Sequence, residues 1–582
     1  MLFRLSWDYL KPRIGAVIAV LILQLIQSVA SLLLPSLNAD IINEGVLVSD
    51  IGRIWELGGI MLLVTLVQIL AVAAATYIGA QLAMGLGHEL RSRMFHKVQA
   101  FGRAELHNFG PSSLITRSTN DVTQVQMVVL MTFLYMVMAP IVGLGGVFMA
   151  YRQDVALSGL FLVIVPLLGG FVATMMIRLG PLYSAQQKMI DTINRLLREQ
   201  LTGVRVIRAF LRQPQQERRF RDANDDLRDV WLKIGTTWAF MMPVIMAIIG
   251  LSSVAIVWFG GHRIESGSME VGSLIAFINY LMQILMSVMI AAMMFMMVPR
   301  ARVSARRIAD VLDTDIKIVS PKDPVELPPS PATYVIDDVT VAYPGAEEPV
   351  LHDVSLTLNP GTTTAIIGST GSGKSTLAHL LSRSLDPVRG SVRLGGVDLA
   401  SADLAKVRER VALIPQKAYL FSGSIASTVT GYRGGADVDE DRVWRALEAA
   451  QASEFVAKLP DGLHSEVDPG GRNFSGGQRQ RLTIARALYK ASLGVDVIVF
   501  DDSFSALDYA TDKALRSGLP GATGGAAVLI VAQRISTIRH ADSIVVMEGG
   551  AIVGIGTHTQ LLDSCETYKE IVSSQMSEEE AR

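Results

Sequence analysis

The residues of this chain best suited to chemistry are Gly368, Ser369, Thr370, Gly371, Ser372, Gly373, Lys374, Ser375 and Thr376. They fit the pattern G-x-x-x-x-G-K-[ST] without a mismatch, and the context fits as well: the apolar run 364–367 reads as a strand, and 376–381 as a helix. The chemistry is phosphate binding. Glycines let backbone N–H groups turn inward around an anion, and the following helix points its positive end at it; Lys374 adds a mobile charge, and the Ser375 hydroxyl can ligate Mg2+. A Gly- and Ser-rich turn that happens to end in lysine carries the same letters, so its companions decide. Residues 497–501 read as an apolar strand ending in a carboxylate, and Asp501 at its tip would hold Mg2+ through water while Ser375 holds it directly. A second anion site is written at 473–478, where Phe474, Ser475, Gly476, Gly477 and Gln478 open the helical pattern 479–488.

Two different halves must position these groups. Of the 582 residues, 50% are hydrophobic and only 18% are charged, and the long apolar stretches all precede about residue 300. The chain therefore reads as a membrane protein joined to a soluble one. A net charge of −2 and the lack of a basic tract argue against a nucleic-acid partner. A single cysteine, Cys565, excludes an intramolecular disulfide.

Residues 1–13 mix aromatic and basic side chains, the pattern of an interfacial helix leading into a first span rather than of a cleavable leader. The apolar runs 14–37, 55–82, 127–150, 155–179, 237–259 and 271–298 are each long enough to cross a hydrocarbon core about 30 Å thick. Cations gather on one side: Arg4, Lys11 and Arg13, then Arg91, Arg93, Lys97, Arg103 and Arg117, many within 181–236, and Arg300, Arg302, Arg306 and Arg307. The other side offers only Arg53, Arg152 and Arg263. This asymmetry places both termini in the cytoplasm; the membrane expected is the cell inner (plasma) membrane. The inner segments 84–126 and 181–236 keep apolar residues at helical spacing among charges, so the helices should run on past the membrane. The membrane part then covers 1–312, and Pro321, Pro324, Pro328, Pro329 and Pro331 mark a linker over 313–332. In 333–582, β-branched runs at 333–341, 364–367, 391–394, 411–414, 496–500, 527–531 and 543–547 alternate with helical patterns, as in an α/β domain with a largely parallel core sheet.

Taken in order, these motifs resemble those of the ATP-binding-cassette (ABC) family, in which the string at 473–478 is a signature that covers ATP held in another subunit's phosphate loop. The resemblance runs through the whole second half. It implies that Tyr343, in Ala342-Tyr343-Pro344, stacks on adenine and that Gln416 contacts Mg2+ and the membrane domain. It makes Ser505-Ala506-Leu507-Asp508 the loop through which two nucleotide domains sense each other, with 420–425 and 556–558 as further landmarks. The first half resembles the six-span exporter-type membrane domain, with short force-carrying helices expected near 109–116 and 212–220. The implied fold class is a membrane α-helical six-span exporter domain fused to a cytoplasmic α/β P-loop nucleotide-binding domain, with ATP and Mg2+ as cofactors.

Ser113 replaces a glycine common in the family's first inner loop, and two positions of the nucleotide domain also depart from the pattern. Asp502 stands where the family usually places a glutamate that polarises the attacking water, and Gln533 where it places a histidine that contacts the γ-phosphate. Aspartate is one methylene shorter, and glutamine cannot become a cation or pass a proton. The ATP held by this chain's own loop should be bound but hydrolysed slowly, while the signature is intact. The pattern implies a heterodimer with a second ABC half-transporter whose site this chain's signature completes; a homodimeric exporter in which Asp502 suffices, or an ATP-gated regulatory or channel subunit, is the alternative. The spans are rich in methionine (Met127, Met131, Met136 and Met138; Met241, Met242 and Met246; Met282, Met286, Met289, Met293, Met294, Met296 and Met297), and Gln24, Gln27, Gln68, Asn279 and Gln283 are the polar candidates for cargo contact. With no Asp or Glu in the core of a span, the expected cargo is lipophilic or amphipathic, with membrane lipid as the surrounding partner.

Overall fold

The computed structural model of the protein describes residues 1–343, 345–431 and 438–575, and of Met296 the backbone alone. Pro344 of the Ala-Tyr-Pro motif and the last residues of the expected 333–582 domain lie outside the described residues. The chain divides into two compact units, one of Met1–Gln99 with Pro111–Thr314 and one of Ala100–Gly110 with Asp315–Arg582.

The first unit is helical. Its elements are α1 (Leu2–Leu10), α2 (Ile14–Asp40) and α3 (Ile51–Gln99), and, after α4 (Arg103–Phe109) of the other unit, α5 (Pro111–Thr116), α6 (Val122–Met131), α7 (Met138–Gln153), α8 (Val155–Ser158), α9 (Phe161–Ala209), α10 (Gln213–Glu265) and α11 (Val271–Leu312). Among the described residues, 6 helical stretches are long and apolar enough to cross a membrane. Helices α3 and α9 each run 49 residues and α10 runs 53; at 1.5 Å per residue they reach roughly 75 Å, more than twice a hydrocarbon core. The charged, helically spaced segments 84–126 and 181–236 supply much of that extra length. The expected span 127–150 is not one α-helix, because a π-helical turn at Thr132–Met136 separates α6 from α7.

The two buried carboxylates of this unit have partners. Asp121 accepts a 2.7 Å hydrogen bond from the Ser304 hydroxyl, and Asp154 caps α8 and pairs with Arg263 at 2.7 Å. Of the two short helices expected here, one is present and one is not. Gly110, at φ +73°, ends one helix at Phe109, and Pro111 starts the next, Pro111–Thr116, which is the short helix expected near 109–116; the helix before it, 103–109, is grouped with the second unit. No separate helix exists near 212–220; these residues form the first turns of α10.

The second unit is built on a six-stranded sheet in the order Ala551–Gly556, Ser543–Glu548, Thr363–Gly368, Ala527–Val531, Val497–Asp501, Val411–Ile414, parallel except at the Ala551–Gly556 edge. Val497–Asp501 and Ala527–Val531 are buried throughout, which explains why they read as unbroken apolar runs. A four-stranded antiparallel sheet, Leu351–Leu358, Tyr334–Val341, Arg389–Leu394, Val397–Asp398, packs its apolar side chains into the same core. The Pro-rich segment is fastened to this unit. Ala332 N–H donates to the buried Asp496 carboxylate (2.8 Å), which Arg410 also faces, Val325 N–H donates to the Ser401 carbonyl (2.9 Å), and Ser320 accepts from Leu404 N–H (2.9 Å).

Candidate nucleotide site

Three neighbouring strands deliver the candidate residues to the carboxyl edge of the sheet, where open α/β sheets bind ligands. Thr363–Gly368 runs into the phosphate loop, Ala527–Val531 into Gln533, and Val497–Asp501 into Asp501 and Asp502. Two glycines of the loop are dictated by space. A Cβ on Gly368 would collide with the Met547 carbonyl, and Gly373, at φ +91°, would press one to 2.6 Å from Leu351. Lys374 begins the helix Lys374–Leu381, and its ammonium donates to the carbonyls of Gly368 (2.9 Å) and Ser369 (2.6 Å). Burial holds the Lys374 pKa below the ordinary lysine value, against the pull of Asp502 and Asp501. Among the described residues Lys374 forms no ion pair, and a phosphate would supply this cation with a close negative partner.

The Ser375 hydroxyl donates to Asp501 Oδ1 at 2.8 Å. This hydroxyl–carboxylate pair fits Mg2+, which takes few protein ligands and draws the rest from phosphate oxygens and water. Among the described residues there is no group of three or more His, Cys, Asp or Glu that could hold a metal by themselves. Tyr343, half-exposed, places its hydroxyl 3.1 Å from Thr376 Oγ1, beside the start of the same helix. His379, farther along that helix, is pushed below the usual histidine pKa by burial first and then by the charge of Arg103 on α4.

The two departures from the family pattern meet at one atom. Asp502 Oδ2 accepts a hydrogen bond from Gln533 Nε2 (2.9 Å) and another from Gln416 Nε2 (3.1 Å). Turned this way, Gln416 shows its amide nitrogen to the carboxylate and keeps its oxygen for a cation. Asp502 itself lies at φ +48°, a backbone region that Asp tolerates better than most side chains. Burial raises its pKa, and nearby Asp501 adds to this, while the Gln416 hydrogen bond, Lys374 and Arg534 work against it. A cleft of about 710 Å³ opens here, lined by Asp502, Ser505, Tyr509, Gln533, Arg534 and Gln575, among others. Gln575 had no signal in the sequence. Its side chain donates to the Gln533 carbonyl (2.8 Å) and accepts from Ile535 N–H (2.9 Å), bracketing the loop from both sides.

The 473–478 string stands apart from this cluster. Ser475 and Gln478 form a reciprocal capping box at the start of the helix Gly476–Ala491, each accepting from the other's backbone N–H. Phe474 is buried beneath, whereas Ser475 and Gly476 are exposed, and a Cβ on Gly476 would meet open space. Asp508 caps the helix Tyr509–Ala522 by accepting from Thr511.

A phosphate loop, a hydroxyl–carboxylate metal pair and a six-helix membrane unit on one chain define a membrane-bound P-loop nucleotide hydrolase. Comparison with known proteins makes the class specific. Residues 17–288 match the ABC transporter transmembrane region and 351–505 match the ABC transporter family. An uncharacterized ABC transporter ATP-binding protein of Mycobacterium tuberculosis is 45% identical over 99% of this chain and 98% of its own. YfiB of Bacillus subtilis, also described as an uncharacterized ABC transporter ATP-binding protein, is 33% identical over 98% of each. An ATP-dependent lipid A-core flippase of Ralstonia nicotianae is 27% identical over 96% of this chain and 94% of its own. A bacterial Atm1-family ABC exporter solved with ATP bound superposes with a TM-score of 0.78 at 21% identity, covering 98% of this chain and 100% of that one. The chain belongs to the ABC transporter family: it is a multi-pass membrane protein of exporter fold with a fused ATPase domain, and ATP hydrolysis drives its transport.

Proposed function

We propose that this chain is the degenerate-site half of a heterodimeric ABC transporter that moves a lipophilic or amphipathic cargo across the plasma membrane, with both termini in the cytoplasm. The observation that carries the reading is the Asp502 carboxylate, one methylene short of the family's glutamate and engaged by Gln416 and Gln533. Lys374 and the loop amides would bind the ATP phosphates, Tyr343 would stack on the base, and Ser375 and Asp501, joined by Gln416, would hold Mg2+, whose charge would offset that of the phosphates. Asp502 sits too far back to take a proton from the attacking water, and Gln533 contacts the γ-phosphate without carrying charge. This site therefore stays occupied and keeps the nucleotide domains together. The exposed Ser475–Gln478 helix start and the Asp508 loop complete the partner's site, where hydrolysis resets the cycle. The two ATP domains close on binding and reopen after hydrolysis, switching the membrane cavity between its two sides in the export direction. Lipid-type cargo agrees with the relatives named as lipid A-core flippases.

ATPase activity of the purified chain alone, and of the chain with the half-transporter encoded beside it, tests the reading. Low turnover alone and vigorous turnover in the pair are expected; vigorous turnover alone would return the protein to a homodimer.

A further inference from the structure

The membrane unit holds a seam of polar groups that its own packing does not satisfy. On α2, Gln24, Gln27 and Ser31 follow one another at i, i+3 and i+7, hence along one face. Helix α7 approaches closely through Gly143, where a Cβ would come within 2.7 Å of the Ser287 hydroxyl of α11, and through Gly146, where one would lie 2.9 Å from Ile284. Gln283 Nε2 on α11 donates to the Ser31 carbonyl (3.1 Å), and Gln27 Nε2 faces the Met138 sulfur (3.5 Å). A carbonyl and a thioether accept but do not donate, so both amides must turn their N–H2 groups to them. Their oxygens are left over. Among the described residues, the side-chain oxygens of Gln24, Gln27 and Gln283 are buried without a hydrogen-bond partner, and Gln24 as a whole is only 2% exposed. The neighbouring hydroxyls do not relieve them, because Ser28 donates to the Gln24 carbonyl and Ser287 to that of Ile284.

Orphaned acceptors at membrane depth are costly to keep. We propose that this α2–α7–α11 seam is a cargo subsite that takes uncharged donor groups, as on the polyhydroxylated head of a lipid whose chains remain in the apolar surroundings. An ammonium head fits less well, since no carboxylate lies in the span cores to balance it. The subsite rests on the transporter reading, because the cavity opening of the cycle is what admits a head group between α2 and α11.

The test uses the full chain in nanodiscs without nucleotide and two probes, a fluorescent glucosyl diacylglycerol and the same lipid with every sugar hydroxyl O-methylated. The wild type is expected to bind the hydroxylated probe about tenfold more tightly. Gln24→Leu, Gln27→Leu and Gln283→Leu each narrow that preference, and the triple variant removes it while still binding ATP. Equal binding of both probes by the wild type would mean that the seam holds water only, and would overturn the proposal. So would a preference that survives in the triple variant. Should the triple variant not fold, the near-isosteric Gln27→Met and Gln283→Met decide singly. Failure of the pump reading looks different: the preference persists, but reconstituted vesicles show no ATP-driven movement of the probe.

Discussion

Replacing Asp502 by Glu, with Gln533 changed to His, tests whether reach limits chemistry at this chain's phosphate loop. One added methylene advances the carboxylate by about 1.5 Å. Misplacement by about 1 Å costs roughly 100-fold, and general-base assistance is worth roughly 10²–10⁴-fold, so hydrolysis at this site should rise about 100-fold, or about 2.7 kcal/mol of barrier. Two effects oppose it. Glu loses the hydrogen bonds that Asp502 accepts from Gln416 at 3.1 Å and Gln533 at 2.9 Å, about 1 kcal/mol each at a part-exposed position. It also sits less easily at φ +48°, at a cost of about 1 kcal/mol. These costs fall on the stability of the cassette and lower its melting temperature by a few degrees, whereas the gain falls on the barrier, so the rate should still rise. The assay is single-turnover ATP hydrolysis in the complex with the partner's phosphate-loop lysine replaced, so that only this site can react. An unchanged rate with ATP affinity retained would refute the reasoning. The pH profile separates reach from protonation: if the raised Asp502 pKa held the rate down, wild-type hydrolysis would climb as pH rises through that pKa, whereas a reach limit leaves it slow and flat above it.

Other outcomes follow from the same geometry. Because burial lowers the Lys374 pKa and bound phosphate would restore it, ATP affinity should be constant at neutral pH and begin to fall below the ordinary lysine value of 10.5; Lys374→Ala should weaken binding about 100-fold and abolish that alkaline fall, both read by equilibrium nucleotide titration. Gln575→Ala removes both hydrogen bonds that bracket the Gln533 loop, and hydrogen exchange at the Ile535 amide should quicken about tenfold, while Gln575→Glu, which keeps the acceptor, should preserve most of the protection. Asp496→Ala strips the buried partner of Arg410 and of the Ala332 N–H, and should destabilise the cassette by about 3 kcal/mol in denaturant unfolding.

What could be read from the sequence was what is local in it. The phosphate loop, the strand ending in Asp501 and the capped helix start at Ser475 are short linear patterns whose physics acts between near neighbours. The network around Asp502 is different in kind: Gln416 lies 86 residues before it and Gln533 lies 31 after, and only the strand order brings them to one oxygen. Resemblance placed these residues in the site but could not show that they bond to one another. Gln575 was invisible for the same reason. The strands Leu351–Leu358 and Ala551–Gly556 escaped notice because one face of each is exposed, which interrupts the apolar run with polar residues or glycine. The short helix expected near 109–116 had a readable start, since Gly110-Pro111 both ends one helix and begins the next.

The proposed division of labour within the cassette would have a physical basis in where hydrogen bonds are spent. At the phosphate loop, Lys374 bonds to loop carbonyls, Ser375 to Asp501, and Asp502 to two glutamines. Entry of a nucleotide must break or share several of these bonds, and what replaces them is charge pairing with phosphate, which strengthens binding without advancing a proton transfer. At the signature, the Ser475–Gln478 capping box consumes the side chains on each other and leaves the N–H groups at the exposed Gly476 turn for an anion from outside. A helix start already closed on itself pays little reorganisation when that anion arrives. Under the proposed function, the chain would hold its own nucleotide by rearrangement and offer the partner's a preformed donor set, an asymmetry that suits a retaining site paired with a reacting one.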